Sequence, residues 1–64
     1  MKLTQLREAK GWSRAKLARE AELNPATVGR AESRREVPYD GQLQRMADAL
    51  GYEGEPRDLL DDVE

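Results

Sequence analysis

The dipeptide Asn24–Pro25 most constrains the fold, because it marks the start of a helix in the middle of the chain. Asparagine caps the exposed amides of a first helical turn well, and proline fits the first helical position, where its missing N–H costs nothing. The dipeptide therefore predicts a helix over about residues 25–33, with Val28 and Ala31 on its inner face. A helix that begins here requires the preceding helix to end within a few residues.

Other helix signals divide the rest of the chain. Gly11 and Gly51 suit the left-handed conformation that ends helices, Ser13 is a good N-cap, and Pro56 suits the start of a last helix. Between residues 41 and 50, apolar side chains recur at i, i+3, i+4 and i+7, which is typical of an amphipathic helix. The sequence predicts one all-α domain over residues 1–64, a compact bundle of four to five short helices. Their expected bounds are about residues 3–10, 14–21, 25–33, 41–50 and 56–62.

The composition excludes several kinds of chemistry. The 64 residues form one small domain at most and include no cysteine and no histidine, which excludes disulfides, zinc sites built on those residues and histidine acid–base catalysis. Three acids near the end, Asp58, Asp61 and Asp62, have no cleft residues around them. We therefore expect no enzymatic activity, no metal and no cofactor.

The expected location is the cytoplasm. No apolar run approaches the ~20 residues of a membrane span, and the first ten residues lack the apolar stretch of a signal peptide. A DNA-bound form would be associated with the nucleoid.

Charge is distributed unevenly along the chain, although the formal net charge is only −2. Residues 1–35 contain nine basic and four acidic residues, a net charge of +5, whereas residues 36–64 contain two basic and nine acidic residues, a net charge of −7. A molecule of this kind can turn its basic side to a polyanion and its acidic side away. Solvated helix faces explain the same pattern equally well.

The second and third helices are separated by about three residues, Glu22, Leu23 and Asn24. Such a short connection makes the two helices cross steeply, as in a helix-turn-helix, with small residues where they meet. Ala18 and Ala21 are suitable small residues. This arrangement projects the first turn of the third helix so that it can enter the DNA major groove, which is ~12 Å wide.

The segments "LREAKGWSRAKLAREAELNPATVGRAE", "VP" and "LQRMADALG" together resemble the Cro and phage-repressor type of helix-turn-helix domain, the XRE family. The resemblance covers residues 3 to about 60. It implies a lambda-repressor-like fold and a sequence-specific regulator of transcription, a bacterial or phage repressor for example. Such proteins bind double-stranded DNA as homodimers on inverted repeats.

The resemblance also implies roles for individual residues. In similar domains the first residue of the second helix is usually a glutamine that binds a phosphate, and Arg14 stands in its place. Arginine at position 30 suits bidentate bonds to guanine O6 and N7, and the apolar surface of a proline or alanine suits a thymine methyl. Base contacts are implied for Pro25, Ala26, Thr27 and Arg30, and phosphate contacts for Arg14, Asn24, Arg34 and Arg35.

A partly buried ion pair between Arg7 and Glu32 is implied as well, with a structural role. The chain departs from the family pattern at Glu22 and Arg34, which occupy positions where glycine is usual. A non-glycine residue held in a left-handed conformation there costs free energy. Gly29 weakens its own helix by roughly 1 kcal/mol relative to alanine.

Trp12 matches a core position between the first two helices, and the role of Tyr39 is left open. Candidate dimer contacts are Leu59, Leu60 and Val63, which would serve equally well to complete the core.

The alternative to DNA binding is a protein-interaction module, an antitoxin or adaptor, that uses the acidic segment "EGEPRDLLDDVE" to bind a basic protein partner.

Overall fold

The computed structural model describes residues 1–63, and every regular element in this range is helical. Four α-helices are followed by a single 3-10 helix, and the bundle measures 26 × 24 × 19 Å. The bounds are α1 Lys2–Ala9, α2 Arg14–Glu20, α3 Pro25–Glu32, α4 Asp40–Leu50 and the C-terminal 3-10 helix Pro56–Leu60.

The helices begin and end at residues with suitable side chains or backbone freedom. Ser13 Oγ accepts a hydrogen bond from the Lys16 amide at 3.0 Å at the start of α2, and Asn24 Oδ1 accepts one from the Ala26 amide at 2.8 Å at the start of α3. At the start of α4 a side chain inside the helix bonds the backbone of the N-cap residue, since Gln42 Oε1 accepts from the Tyr39 amide at 2.9 Å. Gly51 ends α4 with φ at 71°, the left-handed conformation that glycine adopts without strain.

The last helix differs from the sequence expectation of a helix over residues 56–62. It is a 3-10 helix that stops at Leu60, with the Asp58 amide bonded to the Glu55 carbonyl at 2.9 Å. Beyond it Asp61 is extended, and its carbonyl accepts from the Lys2 amide at 2.8 Å. That amide lies in the first turn of α1, where backbone N–H groups have no acceptor within their own helix. The chain therefore leaves the helical conformation to cap α1.

The core lies where α2 meets both α3 and α4, and it extends to the 3-10 helix, which packs on α4 and α1. Its members are apolar side chains from all five elements, and six of the largest are fully buried: Leu3, Leu17, Val28, Leu43, Met46 and Leu59. Small residues, Ala18, Ala21 and Ala31, are buried as well, so the backbones of α2 and α3 approach closely. Packing fixes α3 against α2 and leaves its opposite side exposed.

None of the helices within residues 1–63 combines the length and the apolar character needed to cross a membrane.

Candidate nucleic-acid interface

The connection between α2 and α3 is a tight turn that contains one left-handed residue. Glu22 has φ at 58°, at a position where the resemblance to Cro and phage repressors implies glycine as the usual residue. The Leu23 amide donates to the Ala18 carbonyl at 2.7 Å, which closes the turn, and Leu23 packs against the core. The turn thus keeps helix-turn-helix geometry with a glutamate in it, at a conformational cost of roughly 1–2 kcal/mol.

The exposed side of α3 is nearly free of long side chains. With Val28 and Ala31 buried, the 3.6-residue period places Ala26, Gly29, Arg30 and Ser33 on the opposite side, which we call the outer face of α3. Three of these four residues are no larger than serine. The backbone of α3 is therefore able to approach a flat or grooved surface closely, with Arg30 as its one long side chain.

The four residues for which base contacts are expected do not share the same environment. Pro25, Ala26 and Arg30 are exposed, whereas Thr27 is half-buried. Thr27 and Arg30 border a groove of about 340 Å³ that separates α3 from the loop leading to α4. The remaining lining comes from that loop and from α4: Glu36, Val37, Pro38, Tyr39 and Gln42.

The loop adds surface that sequence reasoning did not assign. Val37 and Tyr39 are 77% and 79% exposed, while Pro38 between them is buried and anchors the loop. Glu36 Oε1 lies 3.9 Å from Arg30 Nε, an ion pair longer than a hydrogen bond. No periodic pattern marks a loop of this kind, and the alternation of exposed Val37, buried Pro38 and exposed Tyr39 is visible only in three dimensions.

The residues expected to contact phosphates are distributed around α2 and the end of α3. Arg14 is 54% exposed at the start of α2, and its Nε donates to Glu32 Oε1 at 3.2 Å. Asn24 is exposed and caps α3 through its oxygen, which leaves its amide nitrogen available. Arg35 is exposed, and none of the ion pairs found within residues 1–63 includes it.

Arg34 has a different environment from the other arginines. It adopts a left-handed conformation with φ at 60°. Its guanidinium pairs with Asp62 and donates to the Leu60 carbonyl at 3.3 Å. These contacts hold the side chain against the C-terminal segment.

Arg7 and Glu32 form a bidentate ion pair that joins α1 to the end of α3. Arg7 Nε donates to Glu32 Oε2 at 2.7 Å and Nη2 donates to Oε1 at 3.0 Å, while Nη1 donates to the Trp12 carbonyl at 2.8 Å. The Glu32 side chain is only 1% exposed. Burial raises the pKa of this carboxyl, but hydrogen bonds from Arg7, Arg14 and Thr4 and the charge of Arg7 outweigh it, so that the pKa is lowered. The hydrogen bond with Glu32 raises the pKa of Arg7 in turn.

Trp12 is half-buried and packs against the core. The ammonium groups of Lys10 and Lys16 lie 5.1 Å and 5.9 Å from the centre of its ring, within the range of cation–π attraction. These contacts make Trp12 part of the α1–α2 packing.

Comparison with known proteins identifies one family. The profile of a family described as "Helix-turn-helix domain" matches residues 1–60, nearly the whole chain. No curated protein sequence and no solved structure matches the chain. The match agrees with the packing of α2 on α3 and with the short turn between them, and the chain therefore belongs to the helix-turn-helix domain family.

Proposed function

We propose that this protein is a sequence-specific regulator of transcription that inserts α3 into the DNA major groove and binds as a dimer on an inverted repeat. A helix-turn-helix domain suggests DNA binding in general. The specific proposal depends on the outer face of α3, where small residues surround one arginine.

Arg30 is the proposed base-reading residue. Arginine forms two parallel hydrogen bonds with guanine O6 and N7, the commonest specific contact in the major groove. The 3.9 Å separation from Glu36 is too long for a hydrogen bond, so the guanidinium loses little when it exchanges this carboxylate for a base. Pro25 and Ala26 present apolar surface suited to a thymine methyl, and the Thr27 hydroxyl and methyl suit either a base or a phosphate.

Arg14, Asn24 and Arg35 are the proposed phosphate contacts. Such contacts fix the register of a protein on the duplex without reading its sequence. A phosphate contact by Arg34 would first require the loss of its bonds to Asp62 and Leu60. We therefore expect Arg34 to contribute less than Arg35.

The dimer is proposed from the resemblance to Cro and phage repressors, whose half-sites lie about one helical turn apart. Of the three candidate contact residues, Leu59 is fully buried in the core and so is unavailable to a partner. Leu60 is half-buried and Val63 is 37% exposed, and these two remain candidates.

Selection from a random duplex library with the purified chain, followed by salt titration of the enriched sequence, tests the proposal. We expect an inverted repeat and an affinity that falls steeply with salt, with a logarithmic slope of about −0.9 for each phosphate neutralised. A folded sample that enriches no sequence would overturn the proposal. The acidic C-terminal segment would then be the first surface to probe for a protein partner.

The substitution Arg30→Ala tests the assignment of the base-reading residue. We expect a loss of about 1–3 kcal/mol on the enriched site and a relaxed preference at one base pair. The matched control, Arg35→Ala, should weaken binding to enriched and scrambled duplexes alike. Equal losses on both duplexes for Arg30→Ala would remove this residue from the base contacts.

A further inference from the structure

We infer that Glu32 is a positioning residue that holds Arg14 ready for a phosphate, and this inference depends on the DNA-binding function proposed above. The usual glutamine at the position of Arg14 carries no charge. In this chain the arginine adds a charge, and it also shares a carboxylate with the Arg7–Glu32 pair.

The three side chains form one connected group. Glu32 Oε1 accepts from Arg7 Nη2 at 3.0 Å and from Arg14 Nε at 3.2 Å, while Oε2 accepts from Arg7 Nε at 2.7 Å. Arg7 and Glu32 are buried, with side-chain exposures of 11% and 1%, whereas Arg14 is 54% exposed. The carboxylate is thus fixed from the inside by Arg7, and Arg14 lies on its outward side.

This geometry uses only part of the Arg14 guanidinium. Its single described hydrogen bond is made through Nε, so both Nη groups stay available for an external acceptor. Arginine has five N–H donors in a rigid plane, and fixing one of them fixes the directions of the other four. The side chain is therefore ordered in the free protein, and its two Nη groups are left to meet a phosphate.

The charges favour the same conclusion. Arg7 already neutralises Glu32 through two hydrogen bonds, so that the group of three residues keeps a net charge of +1 on its exposed member. Glu32 orders Arg14 without cancelling its attraction for an anion. Glu32 also ends α3, so the same carboxylate ties the start of α2 to the proposed recognition helix.

Arg14→Lys tests the inference without disturbing the buried pair. Lysine keeps the charge, but an ammonium cannot bond Glu32 through one nitrogen while presenting two others to a phosphate. We expect binding to the enriched duplex to weaken about three- to tenfold with an unchanged salt slope, whereas Arg14→Gln should reduce the slope by about 0.9. The control Arg19→Lys, at an exposed arginine of α2 that none of the described ion pairs includes, should bind like the wild type. Thermal melting should show all three variants folded.

A second measurement tests the Arg14–Glu32 hydrogen bond in the absence of DNA. In the free protein, heteronuclear NMR relaxation of the arginine Nε–Hε groups should show Arg14 ordered and Arg35 mobile. Wild-type affinity for Arg14→Lys, or equal losses for Arg14→Lys and Arg19→Lys, would overturn the inference, as would a mobile Arg14 Nε. If the wild type binds no duplex, the proposed function fails and this role of Glu32 fails with it. An ordered Arg14 Nε would in that case identify the contact as structural only.

Discussion

At the scale of single residues, Glu32 is the polar side chain whose hydrogen bonds connect three of the helices. It receives hydrogen bonds from two arginines, one of them buried, and it connects α1, α2 and α3. Removing one partner of a buried pair leaves an uncompensated charge, which typically costs 3–5 kcal/mol. Glu32 is thus expected to be important for folding, and the positioning role that we propose for it can be tested separately only at its exposed partner Arg14.

The lowered pKa of Glu32 predicts a specific dependence of stability on pH. A carboxyl whose pKa is lower in the folded than in the unfolded state stabilises the fold above the unfolded pKa. This contribution is lost as pH falls through the folded pKa. We expect Glu32→Gln to lower the free energy of unfolding by about 3 kcal/mol at pH 7, with a smaller difference from the wild type at pH 3. Urea denaturation at the two pH values measures both.

Glu20→Gln is the matched control for this prediction. Glu20 pairs with Lys16 at 3.1 Å on the surface of α2, where both side chains are well exposed. Exposed pairs four residues apart contribute about 0.3–0.5 kcal/mol, so this variant should remain close to the wild type at both pH values. A pH-independent difference between Glu32→Gln and the wild type would contradict the proposed origin of the stabilisation.

The two left-handed residues show how the resemblance identifies strain. Glu22 and Arg34 stand where glycine is usual, and both have positive φ, at 58° and 60°. Composition and hydrophobic periodicity carry no signal for this conformation, because both residues are ordinary helix formers. The strain becomes predictable only when the positions are aligned with a family that places glycine there.

At the scale of elements, α3 combines good end signals with a weak interior. Asn24 and Pro25 start it well, but Gly29 in its middle lowers its intrinsic stability by roughly 1 kcal/mol relative to alanine. A Cβ at Gly29 meets nothing within 4 Å, so no contact in the free protein requires glycine there. Since Gly29 belongs to the outer face of α3, the proposed binding of α3 to DNA offers a physical reason for it, the close approach of the backbone.

Gly29→Ala therefore should separate stability from binding. We expect the free energy of unfolding to rise by about 0.5–1 kcal/mol, because alanine has the higher helix propensity and its methyl group has room. We also expect weaker binding to the enriched duplex, because the added methyl keeps the α3 backbone from its closest approach. Chemical denaturation and a binding titration measure the two effects.

The control is Gly41→Ala in α4, where a Cβ also meets open space. It should be stabilising without loss of affinity, and unchanged affinity for Gly29→Ala would rule out close approach at this position.

Much of the fold is predictable from the sequence because its helix boundaries are marked locally. Ser13, Asn24–Pro25 and Gly51 each act within one turn of their own position. The C-terminal 3-10 helix is not predictable in this way, since its end depends on the bond between the Asp61 carbonyl and the distant Lys2 amide. For the same reason the sequence does not indicate the binding of Arg34 to Asp62 or the groove beside Tyr39. These features arise from contacts between segments far apart in the chain.

At the scale of the whole molecule, the separation of charge has to be weighed against the small size of the bundle. Residues 36–64 carry a net charge of −7, yet the longest dimension is only 26 Å. The Debye length is about 10 Å at 0.1 M salt and about 30 Å at 0.01 M, so across the bundle an acidic charge is largely screened from a bound duplex at the higher concentration but not at the lower one. The acidic half is therefore expected to oppose DNA binding at low salt and to have little effect at high salt.

The double substitution Glu53→Gln/Glu55→Gln tests this expectation with two exposed acids between α4 and the 3-10 helix. Affinity for enriched and scrambled duplexes should rise alike, by about two- to threefold at 50 mM salt. The gain should vanish near 0.3 M, because the Debye length is shorter there. Glu36→Gln removes a negative charge only 3.9 Å from Arg30, and the gain in affinity should decrease less at the higher salt, because this separation is shorter than the Debye length. Fluorescence anisotropy at both salt concentrations distinguishes the two cases. If the double variant changes the ratio of enriched to scrambled affinity, or keeps its gain at 0.3 M, the acidic segment itself touches the DNA.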